Sequence, residues 1–106
     1  QRTADRSLTP RAARDCSRIE IKPGADLRYC NLSRAYLSGS DLSGVNLHGA
    51  TLTGAVLTAC NFNSAKLAGA NLAGAVFGGI SGTPLSLPEG WTLIDSDIVY
   101  MEPISL

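Results

Sequence analysis

Between residues 25 and 79 a large apolar side chain returns at every fifth position: Leu27, Leu32, Leu37, Leu42, Leu47, Leu52, Leu57, Phe62, Leu67, Leu72 and Phe77. Two residues ahead of each stands a smaller one, from Ala25 and Cys30 to Ala70 and Ala75. Two residues behind stands glycine in most units, as at Gly39, Gly44, Gly49, Gly54, Gly69 and Gly74. A period of five fits neither a helix nor a continuous strand, so the segment reads as a repeat with one bend per unit. The small and large residues, two apart, share one side of a short extended stretch. That side is the inside, and the residue between them faces out. The next two positions make a corner, where glycine accepts positive φ without steric penalty. No unit can bury its leucine alone, so successive corners must wind the chain into stacked coils.

The outward positions set the number of units per coil. They read Asp26, Asn31, Tyr36, Asp41, Asn46, Thr51, Val56, Asn61, Lys66, Asn71 and Val76. The three apolar or aromatic residues among them, Tyr36, Val56 and Val76, stand twenty residues apart, and Asn31, Thr51 and Asn71 repeat the spacing as a polar row. Twenty residues are four units, which predicts four walls per coil.

The run resembles the pentapeptide repeat family, whose signature A(D/N)Lxx is visible in Ala25-Asp26-Leu27 and Ala70-Asn71-Leu72. With a substituted first residue it recurs in Cys30-Asn31-Leu32 and Val45-Asn46-Leu47. The resemblance covers about half of the chain. It implies an all-β solenoid, a right-handed quadrilateral β-helix, here of just under three coils. Tyr36, Thr51, Val56, Lys66 and Val76 depart from the signature only at the outward position, where the fold is tolerant.

Three segments follow from the pattern. Residues 1–23 read as an N-terminal cap: Thr9-Pro10 opens a short helix to about Cys16, with Leu8, Ala12 and Ala13 as its apolar residues, and Ile19 and Ile21 alternate with charges as a lead-in strand. Residues 24–79 are the coils. In residues 80–106 the pattern lapses: Gly82 stands where the next leucine is due, and Pro84 and Pro88 interrupt regular structure. Trp91, Leu93 and Ile94, then Ile98, Val99 and Tyr100, flank Asp95-Ser96-Asp97 as a β-hairpin. The hairpin reads either as a terminal cap or as a joint before further coils, for Glu102-Pro103 through Leu106 echoes Lys22-Pro23 through Leu27, and Leu106 fits one more inward position.

Net charge is zero but unevenly placed. Residues 1–23 carry six basic and three acidic groups, residues 24–79 three and two, and residues 80–106 none and four. Such polarity suits oriented docking or head-to-tail contact, although two solvated ends would look the same. The arginine-rich start lacks the aromatic interleaving of single-strand nucleic-acid binders. Of the three cysteines, Cys30 and Cys60 occupy small inward positions on opposite walls and read as buried thiols, leaving Cys16 as the one expected to be exposed. No apolar stretch is long enough for a membrane span, and the compartment stays open.

The inventory does not suit catalysis, and no cofactor or metal is expected. His48 is the sole histidine and falls at a corner, no base is placed beside a serine, and Asp26 and Asp41 fall on different walls. The chain therefore reads as a non-catalytic scaffold or protein interaction module, of the kind that serves as an accessory subunit of a larger assembly. Its candidate contact surface is the row Tyr36, Val56, Val76, with end-to-end or edge association as a second mode. The family resemblance supplies an alternative, a DNA mimic that protects or inhibits a type II topoisomerase. Against it stand the near-neutral coils, because a mimic needs a long acidic rod.

Overall fold

The computed structural model describes residues 16–101. The helix expected over Thr9–Cys16 and the inward place for Leu106 lie outside the described residues. From Asp26 onward the chain returns into register every twenty residues, through parallel bridges such as Asp26 to Asn46, Asn46 to Lys66, and Lys66 to Ser86. The chain is a β-helix solenoid, and its four-unit turn follows from that spacing.

The same main-chain bonds recur on every wall. The amide of the inward leucine donates forward to the outward residue of the next coil, as in Leu52 N to Asn71 O at 2.8 Å. That outward residue donates back, as in Asn71 N to Ala50 O at 2.9 Å. Corners are closed by the small residue's amide on the carbonyl three residues earlier, as in Ala50 N to Leu47 O at 2.9 Å, with Gly49 at φ 69°. This is the type II turn, whose third residue needs positive φ. The corner from Leu57 to Cys60 lacks the closing bond. Where glycine is missing, Tyr29, Arg34, Ala59 and Ser64 adopt the same left-handed conformation, at φ 59°, 62°, 60° and 64°.

The inward residues form one core. Leu27, Leu42, Leu47, Leu52, Leu57, Phe62, Leu67 and Leu72 are at most 1% exposed, and Cys30, Val45, Ala50, Ala55, Cys60 and Ala65 fill the spaces between them. At about 1.5–3 kcal/mol for each fully buried large side chain, this column is the main source of stability.

Two features at the start differ from expectation. Cys16 and Cys30 form a disulfide with Cα atoms 5.7 Å apart, so Cys30 is not a free thiol and Cys16 is half-buried. Residues 18–22 form no strand. The amide of Ile19 turns back to Cys16 O at 3.1 Å, and Ile19 and Ile21 pack against the core without pairing with a neighbour among the described residues.

At the other end the walls continue further than the leucine pattern. Buried Ile80 takes the small inward place, and Ser81 and Ser86 bridge to Asn61 and Lys66. Gly82 replaces a leucine because the chain runs too close to its neighbour: a Cβ there would lie 2.5–2.6 Å from Asn63 backbone and Cβ atoms. One donor is displaced on this last wall, although Ser86 stays in register with Lys66. Ala65 O receives Leu85 N at 2.8 Å, one residue earlier than the outward position that donates in the coils below. Strands β1 (Trp91–Ile94) and β2 (Asp97–Tyr100) follow as an antiparallel hairpin, joined through Asp95 and Ser96 at φ 47° and 65°. Positive φ at both central residues marks a type I′ turn, whose twist matches that of the strands. The hairpin is fastened by buried Ile98, by Ile80 N to Ser96 O at 2.9 Å, and by ring contacts from Phe62 to Phe77, Phe77 to Trp91 and Trp91 to Tyr100.

Candidate interaction surface

Tyr36, Val56 and Val76 lie on one wall, bridged in sequence. The main chains of Val56 and Val76 are engaged in the ladder: Leu37 N donates to Val56 O at 2.9 Å, Val56 N to Ala35 O at 2.9 Å, and Leu57 N to Val76 O at 2.7 Å. The side chains stand clear, with Tyr36 76% and Val76 48% exposed and Val56 half-buried between them. Beside this row the corners carry hydroxyls, where Ser38 Oγ lies 2.7 Å from Thr58 Oγ1.

The other walls show what an outward residue ordinarily does. The side-chain oxygen of Asp26, Asn31, Asp41, Asn46, Asn61 or Asn71 accepts the amide two residues on, at 2.9–3.3 Å. These Asx turns satisfy a corner amide that the ladder leaves out. Lys66 has no such oxygen, and the hydroxyl of Ser86 reaches Ala68 N at 3.3 Å in its place. Sequence reasoning treated the outward position as tolerant and missed this role. The signal was present in the coincidence of Asp or Asn with a corner two residues later. Tyr36, Val56 and Val76 forgo the bond, so their side chains contribute to the wall's surface and not to its corners.

The charged and reactive groups are individually accounted for. Arg28 Nε and Nη2 each reach an Asp26 carboxylate oxygen at 2.8 Å. The hydroxyl and then the amide of Ser43 hold the Asp41 carboxyl below its ordinary pKa. Cys60 Sγ donates to Leu37 O at 3.0 Å, and burial pushes its thiol pKa up, away from the reactive thiolate. His48 is exposed and packs edge-on against Tyr29, with ring centroids 5.6 Å apart. Among the described residues no three of His, Cys, Asp and Glu gather as metal ligands, and no helix is long and apolar enough to cross a membrane.

A stacked prism with outward rows and a continuous apolar axis defines a class, the repeat solenoids whose walls serve as display surfaces. A family model described as Pentapeptide repeats (8 copies) matches residues 24–58 and 55–79, and the chain belongs to that family. Pentapeptide repeat proteins are in general non-catalytic repeat proteins, and repeat proteins often mediate protein interactions. Among solved structures, the pentapeptide repeat protein Rfr23 from the cyanobacterium Cyanothece 51142 is similar at 34% identity and TM-score 0.56, over 60% of this chain and 44% of that one. HetL from Nostoc sp. Strain PCC 7120, a pentapeptide repeat protein involved in heterocyst differentiation regulation, shares 32% identity over 55% of this chain and 34% of its own, with TM-score 0.20. The chain thus spans less than half the length of either protein. No curated protein matches it.

Proposed function

We propose that the chain is a non-catalytic scaffold that presents the row Tyr36, Val56 and Val76 to a protein partner as an accessory element of a larger assembly. The observation that carries this reading is the exposure of that row on one wall, while the outward Asp and Asn residues of the other walls are committed to corner hydrogen bonds. An apolar stripe bordered by polar side chains suits the centre of a protein contact. The finer architecture belongs to the same reading: a right-handed quadrilateral coil of just under three turns over residues 24–79, an N-terminal cap over 1–23, and a loop and hairpin over 80–106.

The test is a pull-down with the wild-type chain, with Val56→Lys, and with Thr51→Lys on the neighbouring wall. A protein retained by wild type and Thr51→Lys but lost with Val56→Lys, at equal folding by circular dichroism, supports the row. Equal retention by all three discards it. The topoisomerase mimic is the weaker alternative, because Asp26 is paired with Arg28 and the coil segment carries only two acidic groups against three basic ones. Inhibition or protection of gyrase supercoiling at stoichiometric protein would reinstate it.

A further inference from the structure

The main-chain ladder stops before the last coil does, on the walls of Asn71 and Val76, and the first of these borders the hairpin. On the wall of Asn31, Thr51 and Asn71, the coil above Asn71 would put residue 91 in register, because each bridge spans twenty residues. Trp91 does not go there. Its amide turns back to Pro88 O at 3.1 Å, and the residue pairs with Tyr100 in the hairpin. One coil lower, the corresponding place is taken by Asn71 itself, which receives Leu52 N at 2.8 Å and donates to Ala50 O at 2.9 Å. The groups equivalent to these, Leu72 N–H and Ala70 C=O, have no hydrogen-bond partner among the described residues. Gly69 N–H and Gly74 N–H, whose counterparts Gly49 and Gly54 donate to Ala68 O and Ala73 O, are also unmatched there.

Gly69, Ala70 and Leu72 line a groove of about 550 Å³ between residues 69–73 and the hairpin, whose far side is formed by Pro88, Glu89, Trp91 and Tyr100. The volume lies in the range of ligand sites, roughly 300–1,000 Å³. Buried main-chain groups normally find partners. An edge offering an acceptor and a donor two residues apart is met in full by one residue of an extended chain running parallel to it, as Asn71 meets Ala50 and Leu52.

We propose that this groove is a β-augmentation site for an extended peptide segment. Its central residue stands over Asn71, donates its N–H to Ala70 O and accepts Leu72 N–H through its C=O. The flanking side chains point toward the exposed end of the core, and the rings of Trp91 and Tyr100 with Pro88 form an apolar flank beside them. The site is on a different wall from Tyr36, Val56 and Val76 and does not depend on that row.

The experiment uses the isotope-labelled full chain and a synthetic probe, acetyl-Ala-Thr-Leu-Thr-amide, which copies residues 50–53. At about 1 mM probe, a weak but measurable regime, saturable shifts should appear at the Leu72 and Gly74 amides and the Trp91 indole, with slower exchange of the Leu72 amide. The same probe N-methylated at its first threonine, which removes the donor to Ala70 O, should lose binding at least tenfold. Absence of saturable shifts, or equal binding of the methylated probe, overturns the proposal. Shifts of the same amides with protein concentration and no probe would assign the edge to a second copy of the chain and likewise overturn it. None of these results bears on the Val56→Lys comparison, so failure here and failure of the scaffold reading remain distinct.

Discussion

The middle coils and the C-terminal end use the same main-chain bonds and reach different outcomes. From Leu27 to Leu67 every inward leucine or phenylalanine amide finds the next coil, because every fifth residue is large and apolar and the corners repeat one turn. Beyond Gly79 the chain keeps two more walls through Ser81 and Ser86, with one donor displaced at Leu85, and after Ser86 it leaves for the hairpin. The difference teaches that pairing in a solenoid is held by register, and that a wall edge opens where the chain leaves its twenty-residue path for another element.

The largest effect that can test this contrast is on burial. Leu57→Ala, in the middle, should lower unfolding stability by about 2–5 kcal/mol. Leu85→Ala, at the end and 66% exposed, should change it by no more than about 0.5 kcal/mol. Urea denaturation of both variants checks this, and equal losses would dissolve the distinction. Next comes the opposite end, where the Cys16–Cys30 disulfide closes a loop with a sequence separation of 14. Cys16→Ser should lower stability by about 3 kcal/mol, the expectation for a closed loop of that size. Amide exchange should quicken in residues 16–30 and not in the hairpin.

Corners give a smaller effect with opposite signs. Gly54→Ala forces a side chain to φ 70° and should destabilise by about 1 kcal/mol, whereas Ala59→Gly, already at φ 60°, should raise the thermal midpoint slightly. The smallest effect is electrostatic. The Asp41 carboxyl is held below its ordinary pKa of 3.8, chiefly by the Ser43 hydroxyl. A depressed folded value contributes stability that is present above the unfolded pKa and is lost as pH falls through the folded one. Asp41→Asn should therefore flatten the acid limb of the stability profile, leaving the variant slightly less stable than wild type at neutral pH and level with it in acid, as urea denaturation across pH would show.

How much of this was legible depended on repetition. The inward leucines, the corners and the twenty-residue turn are written eleven times over, so the spacing of Tyr36, Val56 and Val76 alone predicted the bridges that join them. The hairpin around Asp95 and Ser96 was legible through its turn residues, although Asp97 belongs to β2. The disulfide was not, because a cysteine at a small inward place reads like alanine, and nothing in the spacing brings Cys16 onto the first coil. The lead-in strand failed for a related reason. Alternation of Ile19 and Ile21 fixed their inward faces but supplied no neighbouring strand. The open edge at Leu72 was also beyond the sequence, since its cause is the return of Trp91 to Pro88 and its pairing in the hairpin.

Amide hydrogen exchange, resolved by residue, tests the central claim most directly. If a five-residue rhythm winds the chain into coils paired every twenty residues, the amides of Leu32 through Leu67 exchange slowly together, while Leu72, equally buried in its side chain, exchanges much faster. Fast exchange at Leu47 and Leu52, or protection at Leu72 equal to theirs without any added peptide, would contradict the account.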